Sequence, residues 1–270
     1  MKFLYKFGFI GAGNMGFAIM KGLLKNYSPE QITFYEKDAR RAEDVAACTG
    51  TVMAENGLSC ASSSQYVILA VKPQQLGKAV PEIREGISGE QILISIAPGI
   101  SIAELKEWFG QDCRVVRAMP NTPALVGEGM TGVCYNDALF SEEEQETIRN
   151  FFISFGKMVV VEEKLIDAVV CVSGSSPAYV YLFMEALADS GVRYGLPRNI
   201  AYEMAAQAVL GSARMLLETG EHPGRLKDQV CSPAGTTIEA VAALEEHGFR
   251  SSVLKACDAC YQKCKNLKEK

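Results

Sequence analysis

The chain has 270 residues, of which 48% are hydrophobic, and a formal net charge of −5 at neutral pH. A chain of this size and apolar content buries a substantial core, which we expect to be divided between two domains. The acidic balance argues against binding to nucleic acid or to a membrane surface, and no apolar run approaches the length of a membrane span.

Short β-rich runs alternate with amphipathic segments through the first part of the chain. The predicted strands are KFGFIG, QITFYE, QYVILAV, QILISI, CRVVRAM, TGVCYN and KMVVV. The predicted helices are Met15–Lys25, Ala39–Cys48, Leu76–Glu85, Ser101–Phe109 and a segment capped by Ser141. This alternation predicts an α/β fold, with a Rossmann-type, doubly wound parallel sheet over residues 1–162.

The β pattern stops after Val161, and helical patterns follow. Only eight residues from Leu165 to Gly220 are charged, a smaller share than the 22% of the whole chain. The segments SPAYVYLFMEALADSGVRYG and NIAYEMAAQAVLGSARMLLE are predicted to form helices that are apolar over most of their surface. Residues 163–270 are therefore predicted to form an all-α domain whose apolar helices are covered by a second subunit.

The stretch GFIGAGNMG places three glycines directly after a predicted strand and at the start of a predicted helix. Gly11 permits a tight turn, Gly13 lets a pyrophosphate approach the backbone, and Gly16 allows the helix to pack closely on the strand. The N-terminus of the helix then binds the phosphates. The spacing, together with its strand and helix, predicts a dinucleotide site.

Two charged residues at the end of the second predicted strand bear on the choice of cofactor. Glu36 stands where an acidic residue binds the ribose hydroxyls of NAD. The adjacent Lys37 can instead pair with the 2′-phosphate of NADP. The sequence therefore predicts a nicotinamide cofactor of either kind.

Three further segments are expected at the same crevice, because the carboxyl ends of parallel strands border it. AVKP, residues 70–73, and ISIAPG, which contains Ala97, each end a predicted strand, and MPNTP ends a third. Lys72 is a candidate catalytic acid. We favour a role in which the backbone of this stretch lines the cofactor and the Lys72 side chain faces solvent or phosphate.

The stretches GAGNMG, AVKP, MPNTP, SGSSPAY and SPAGTTI follow one another in this order. In this the sequence resembles the pyrroline-5-carboxylate reductase family along nearly its whole length. MPNTP and SPAGTTI are the most specific of these stretches. Ser176 and Ala234 depart from the family pattern, which usually has Gly at both positions, and we expect local adjustment without loss of activity.

The resemblance implies reduction of the C=N bond of 1-pyrroline-5-carboxylate to proline with NADPH, with NADH as the alternative cofactor. It implies a homodimer, assembled into a larger ring such as a decamer, and an active site shared between one chain's cofactor domain and its partner's helices. Thr237 is implied as the catalytic residue that hydrogen-bonds the ring nitrogen. The other implied substrate residues are Glu163, Ser232, Gly235 and Thr236. The implied cofactor residues are Gly11, Ala12, Gly13, Asn14, Met15, Gly16, Glu36, Lys37, Asn56, Ala70, Val71, Lys72, Pro73, Ala97 and Gln229.

Three alternatives stay open. By itself, the turn from Ser232 to Thr237 fits a plain helix cap. A 3-hydroxyacid dehydrogenase also joins a Rossmann domain to a helical one, but it normally uses a lysine of the helical domain. This chain has no lysine between Lys164 and Lys227, which argues against that activity. A non-catalytic NADPH sensor explains the glycines but gives no reason for SPAGTTI.

Nine cysteines are scattered along the chain, which is large enough to need no disulfide framework. This usage favours a reducing, cytoplasmic location. Cys257, Cys260 and Cys264 share one face of a predicted helix, but a metal site needs a fourth ligand, and the chain has only two histidines. We therefore predict small residues that pack a C-terminal helix, and no metal site.

Overall fold

The structure is a computed structural model that describes residues 3–267. The chain divides into two compact units. The first comprises residues 3–175 together with 260–267, and the second is Ser176–Ala259. Residues 163–175, which the sequence analysis assigns to the helical domain, lie in the first unit.

Within the described residues, eight strands form one sheet in the first unit. The order across the sheet is β3-β2-β1-β4-β5-β6-β7-β8. Pairing is parallel from β1 to β6, as predicted, but β7 is antiparallel to β6, and β8 is parallel to β7. The chain order reverses at β1, where such sheets open a ligand crevice. The strands are β1 Tyr5–Ile10, β2 Ile32–Tyr35, β3 Val52–Met53, β4 Ser64–Leu69, β5 Ile92–Ser95, β6 Arg114–Met119, β7 Gly129–Cys134 and β8 Gly156–Val160.

Seven α-helices begin within the described part of the first unit. The predicted segments are confirmed within a few residues, while α3, which is short and rich in small residues, was not predicted. A π-helical turn, Val170–Gly174, follows the last of them. The helices are α1 Asn14–Leu23, α2 Ala39–Thr49, α3 Gly57–Ser62, α4 Pro73–Ile83, α5 Ile102–Phe109, α6 Glu142–Ile153 and α7 Ile166–Val169.

The sheet is buried on both faces. Phe9 and Ile10, neighbours in β1, belong to two different core clusters. One cluster contains Phe7, Phe34 and the aromatic residues of α6, and the other contains Val67 and Leu69. Burial on both faces explains why the central strands are continuous apolar runs instead of alternating patterns.

The second unit consists of helices with few buried residues. Ala188 is the buried residue of α8, and Ala201 and Ala205 are those of α9, within the described chain. Large apolar side chains such as Leu182 and Leu217, each about two-thirds exposed, face outward. The helices are α8 Ser176–Arg193, α9 Arg198–Thr219, α10 Pro223–Val230, α11 Thr236–Glu246 and the greater part of α12 Phe249–Leu267. Apolar surface of this extent is typical of an interface with another chain.

One helical stretch corrects the sequence analysis. Glu163–Arg193 is long and apolar enough, by length and composition alone, to cross a membrane. The prediction that no apolar run approaches this length was wrong, because the small and polar residues that interrupt the apolar sequence do not end the helix. The chain instead continues through a π-helical turn of small and apolar residues, Val170–Gly174, into α8.

Candidate active site

β1 leads into a glycine loop, residues 11–16. Gly11 has a φ of +99°, and a Cβ there would lie 2.7 Å from Val71 Cγ1. A Cβ on Gly16 would lie 2.7 Å from the Gly11 carbonyl oxygen, so the helix packs on the loop only without a side chain. At Gly13, by contrast, no described heavy atom lies within 4 Å of the Cβ position. The tight turn and the close packing are confirmed, and Gly13 leaves open space beside the helix.

The start of α1 differs from the starts of its neighbours. Asp38, Ser101 and Ser141 cap α2, α5 and α6, each accepting a hydrogen bond from a backbone N–H of the first turn. The N-cap of α1 is Gly13, and no side chain of the described chain caps it. The first N–H groups of α1 and the positive end of its dipole are thus free to bind an anion.

A cavity of about 540 Å³ opens where β1 and β4 end, at the point where the strand order reverses. The structure brings together eight predicted cofactor residues in its lining: Gly11, Gly13, Asn14, Glu36, Lys37, Ala70, Val71 and Lys72. Sequence reasoning missed several polar residues that also line it: Tyr35, Asp38, Arg41, Gln75, Lys78 and Glu82. The cavity has the size and position of a dinucleotide site.

The remaining predicted cofactor residues lie outside this lining. Ala12 and Gly16 are buried in the glycine loop, Met15 is in α1, Pro73 begins α4, and Ala97 follows β5. Asn56 is the N-cap of α3, where its side-chain oxygen accepts a hydrogen bond from the Ser59 N–H at 2.8 Å. Gln229 is exposed on α10 of the second unit.

Glu36 and Arg41 both bind the backbone of Ala12 in the glycine loop, one at its N–H and the other at its carbonyl oxygen. The Ala12 N–H donates to Glu36 Oε2 at 2.8 Å, and Arg41 Nε donates to the Ala12 carbonyl oxygen at 2.9 Å. The Arg41 guanidinium also lies over the Phe17 ring, 5.0 Å from its centroid. Glu36 therefore helps to shape the loop. The Arg41 guanidinium is a fixed positive charge beside the loop, and the sequence analysis did not identify it.

A second group of contacts ties the ends of β5 and β6 to residues further along the chain. Glu163 Oε1 accepts hydrogen bonds from Arg117 Nη1 at 2.9 Å and from the Ile102 N–H at 2.7 Å. Asn121 of the MPNTP stretch donates to the Ser173 carbonyl oxygen at 3.0 Å. Burial, and next the nearby Glu163 carboxylate, raise the pKa of the Cys134 thiol to about 11. This thiol therefore stays neutral at physiological pH.

The SPAGTT turn, residues 232–237, precedes α11. Ala234 has a φ of +54°, the one left-handed residue other than glycine in the described chain. This is one of the two positions where the resemblance implies a glycine, and an alanine there is strained. A Cβ on Gly235 would overlap the Ser232 hydroxyl, so a larger residue there would displace the Ser232 side chain.

The cap interpretation of this turn is wrong. The N-cap of α11 is Gly235, and within residues 3–267 no side chain caps the helix. Thr236 and Thr237 are the first two helical residues, and neither hydroxyl has a hydrogen-bond partner in the described chain. Like α1, α11 therefore begins with backbone N–H groups that no side chain satisfies.

The cysteines form no metal site or disulfide within residues 3–267. None of the nine cysteines forms a disulfide, and no three His, Cys, Asp or Glu side chains in this range come together as a metal site requires. Cys257, Cys260 and Cys264 lie on α12, and Cys260 Sγ is 3.3 Å from Ser175 Oγ.

Comparison with known proteins gives matches to both parts of the chain. Residues 163–267 match the family model of the pyrroline-5-carboxylate reductase dimerisation domain, and residues 6–99 match that of the NADP oxidoreductase, coenzyme F420-dependent, family. The chain is 47% identical to the pyrroline-5-carboxylate reductase of Escherichia coli, over 97% of this chain and 98% of that protein.

Solved structures give the same result. The structure is similar to a pyrroline-5-carboxylate reductase from Coxiella burnetii, with a TM-score of 0.89, 32% identity and 98% coverage of both chains. It is also similar to the pyrroline carboxylate reductase of Plasmodium falciparum with NADP bound, with a TM-score of 0.87, 32% identity and 98% coverage of both chains.

Proposed function

Since the chain belongs to the pyrroline-5-carboxylate reductase family and reduces 1-pyrroline-5-carboxylate to L-proline with NADPH, we propose which of its residues perform each part of this reaction. The reaction is the last step of proline biosynthesis. The observation that carries the activity is the 47% identity over nearly the whole length of both chains. The contacts of the glycine loop and of the SPAGTT turn support the residue roles.

NADPH, when bound, supplies the hydride that reduces the imine. The glycine loop fits its pyrophosphate, because a Cβ on Gly13 would project into the open space beside α1. The uncapped N–H groups of α1 bind the negative phosphates, and residues 70–72 also line the cavity. Ala97, Asn56 and Gln229 stay proposals that rest on the family resemblance.

Both acidic and basic side chains line the end of the cavity where the adenosine of the cofactor binds in this proposal. Glu36 is positioned to accept hydrogen bonds from the ribose hydroxyls, and its negative charge opposes a 2′-phosphate. We propose that Arg41 and Lys37, which line the same cavity, offset this repulsion and bind that phosphate. NADPH is therefore used despite Glu36, and NADH is expected to serve as a second cofactor.

The substrate is a small ring with a carboxylate beside the imine nitrogen. The uncapped N-terminus of α11 suits the carboxylate, and Gly235 lets the ring approach the backbone. Thr237, whose hydroxyl has no partner within the described chain, hydrogen-bonds the ring nitrogen. Ser232 and Thr236 complete the contacts. No strong general acid is required, because a protonated imine is already electrophilic and positioning carries most of the catalysis.

The dimerisation match over residues 163–267 means that the chain associates with itself. We propose a homodimer as the basic unit, further assembled into a ring such as a decamer, in which each active site takes the SPAGTT turn from the partner. Sedimentation velocity at micromolar concentration should give the dimer mass or a multiple of it. A fully active monomer would refute the proposal.

A cytoplasmic location is proposed because the chain has nine cysteines and no disulfide within residues 3–267, which suits a reducing compartment. Cell fractionation with compartment markers tests it.

The reaction is tested by following NADPH and NADH oxidation with 1-pyrroline-5-carboxylate. In parallel, the same assay is run with 3-oxoacids, which are the oxidised forms of 3-hydroxyacids. Turnover is expected with the cyclic imine alone. Turnover of the 3-oxoacids only would indicate a 3-hydroxyacid dehydrogenase. Cofactor binding without turnover of any imine would instead indicate a sensor.

A further inference from the structure

Arg117 is an unusual residue for the core of a sheet. It lies in β6 and is 2% exposed, and its Nη2 atom has no hydrogen-bond partner among residues 3–267. Its ion pair is with Glu163, whose side chain is 37% exposed. Removing a guanidinium from water is unfavourable, and one half-exposed carboxylate offsets this only partly. Stability therefore gives no reason for this arginine.

The contacts of the pair point to a loop. Glu163 Oε1 binds both Arg117 Nη1 and the N–H of Ile102, the first residue of α5. The loop before Ile102, residues 96–101, leaves the carboxyl end of β5, and Arg117 lies opposite Ser95, the last residue of that strand. One carboxylate thus fastens the far end of the loop to the sheet from which the loop departs.

We propose that Arg117 and Glu163 are positioning residues that hold loop 96–101 in place for hydride transfer, and that Glu163 acts through this loop without contacting the substrate. Arg117 orients the Glu163 carboxylate, and the carboxylate fixes the Ile102 N–H. The loop contains Ala97, a proposed contact of the cofactor. The inference rests on the proposed function and deepens it, since it assigns two residues to the same active site.

The test compares two arginines of one strand. Arg114 also lies in β6, and it forms an ion pair with Glu144 at 2.7 Å. Arg117→Met removes the positioning pair, and Arg114→Met is the matched control. Arg117→Met should lower kcat by on the order of 10-fold or more, because small misplacements near the reacting atoms are costly. Its melting temperature should stay the same or rise, whereas Arg114→Met should melt lower with kcat unchanged.

Two readouts do not depend on turnover. In the cofactor-free protein, hydrogen exchange at the Ile102 amide should speed up in Arg117→Met and in Glu163→Ala, but not in Arg114→Met. The Kd for NADPH, measured by fluorescence, should change by much less than kcat, because the glycine loop that holds the phosphates is untouched and only the contact at Ala97 is disturbed. Normal exchange and normal kcat in Arg117→Met would overturn the proposal.

The Glu163 variants separate positioning from substrate contact. Gln keeps an oxygen for the Ile102 N–H, so Glu163→Gln should retain most of the activity that Glu163→Ala loses. The double variant Arg117→Met/Glu163→Ala should be no slower than either single variant, because both break the same link. Equal losses for Gln and Ala would mean that the charge acts on the substrate, and would overturn the proposal.

The same variants still test the proposal if Arg117→Met does not fold or if the wild-type protein lacks the proposed activity. If Arg117→Met does not fold, the Glu163 variants decide alone whether the pair positions the loop, because the Glu163 side chain is partly exposed and its replacement is tolerated more easily. If the wild-type protein fails to reduce the imine, the proposed function fails, while exchange at Ile102 still tests the pair.

Discussion

Replacing Thr237 with Ala removes a hydroxyl that has no partner in the described chain, at the second residue of α11. If the hydroxyl holds the imine nitrogen, it acts mainly where hydride arrives and the nitrogen changes its charge and geometry. Loss of one preorganised hydrogen bond of this kind lowers turnover by about 10²- to 10³-fold. We therefore expect kcat of Thr237→Ala to fall by this amount, while the Kd for NADPH is nearly unchanged.

The structure also fixes the expected effect on stability. A lost helix cap costs about 1 kcal/mol, but Gly235 occupies the cap position of α11, so Thr237→Ala removes no cap. Ala also favours a helix over Thr, by at most roughly 0.7 kcal/mol. For a chain of this size that corresponds to about 2 °C, so the melting temperature should stay the same or rise slightly.

The assay is steady-state kinetics beside a thermal melt on four proteins: wild type, Thr237→Ala, Thr237→Ser and Ser141→Ala. Thr237→Ser keeps the hydroxyl and should keep much of the activity. Ser141→Ala removes a true cap, since Ser141 Oγ accepts from the Glu144 N–H, and should melt lower with normal kcat. Normal turnover in a less stable Thr237→Ala would refute the reasoning, because that result is the signature of a cap.

Three further predictions concern the first unit. Arg41→Ala and Lys37→Ala should each weaken NADPH more than NADH in fluorescence titrations, and equal losses for both cofactors would show that neither cation reaches the 2′-phosphate. Gly13→Ala should melt normally but bind NADPH at least 10-fold more weakly, since its methyl group enters the open space, whereas Gly16→Ala should melt lower because its Cβ meets the Gly11 carbonyl. Burial raises the pKa of the Cys60 thiol to about 12, so it is almost wholly protonated at pH 8, and iodoacetamide should modify it only after unfolding in urea. Rapid labelling of the native protein at Cys60, measured by peptide mass spectrometry, would contradict this.

The sheet was predictable because its central strands are buried on both faces and so stand out as apolar runs. Two features were not. β3 has only two residues at the sheet edge, too few to show a pattern. The reversal at β7 was hidden because an apolar run carries no sign of its direction, and MPNTP marks the end of a strand without showing how the next one pairs.

In the candidate site, too, some residues were predictable from the sequence and others were not. The glycine loop is a local motif, and its spacing alone located the turn and the helix. Arg41 was missed because Arg40 and Arg41 are adjacent, and only the phase of α2 decides that Arg41 faces the cavity. The link between Arg117 and Glu163 joins residues 46 positions apart, and no local pattern reports such a pair.

Because α1 and α11 each begin at a glycine without a side-chain cap in the described chain, the stability of the fold is expected to depend on the concentrations of the metabolites that bind there. Neither helix has a side-chain cap within residues 3–267, so on the proposed site assignments the phosphates of the cofactor and the carboxylate of the substrate bind the N–H groups that the chain leaves unsatisfied. Ligands that bind only the native state add RT ln(1 + [L]/Kd) to its stability, about 2.7 kcal/mol at a hundredfold excess over Kd. The lifetime of this enzyme against unfolding and proteolysis should therefore follow the cellular pools of reduced cofactor and of imine.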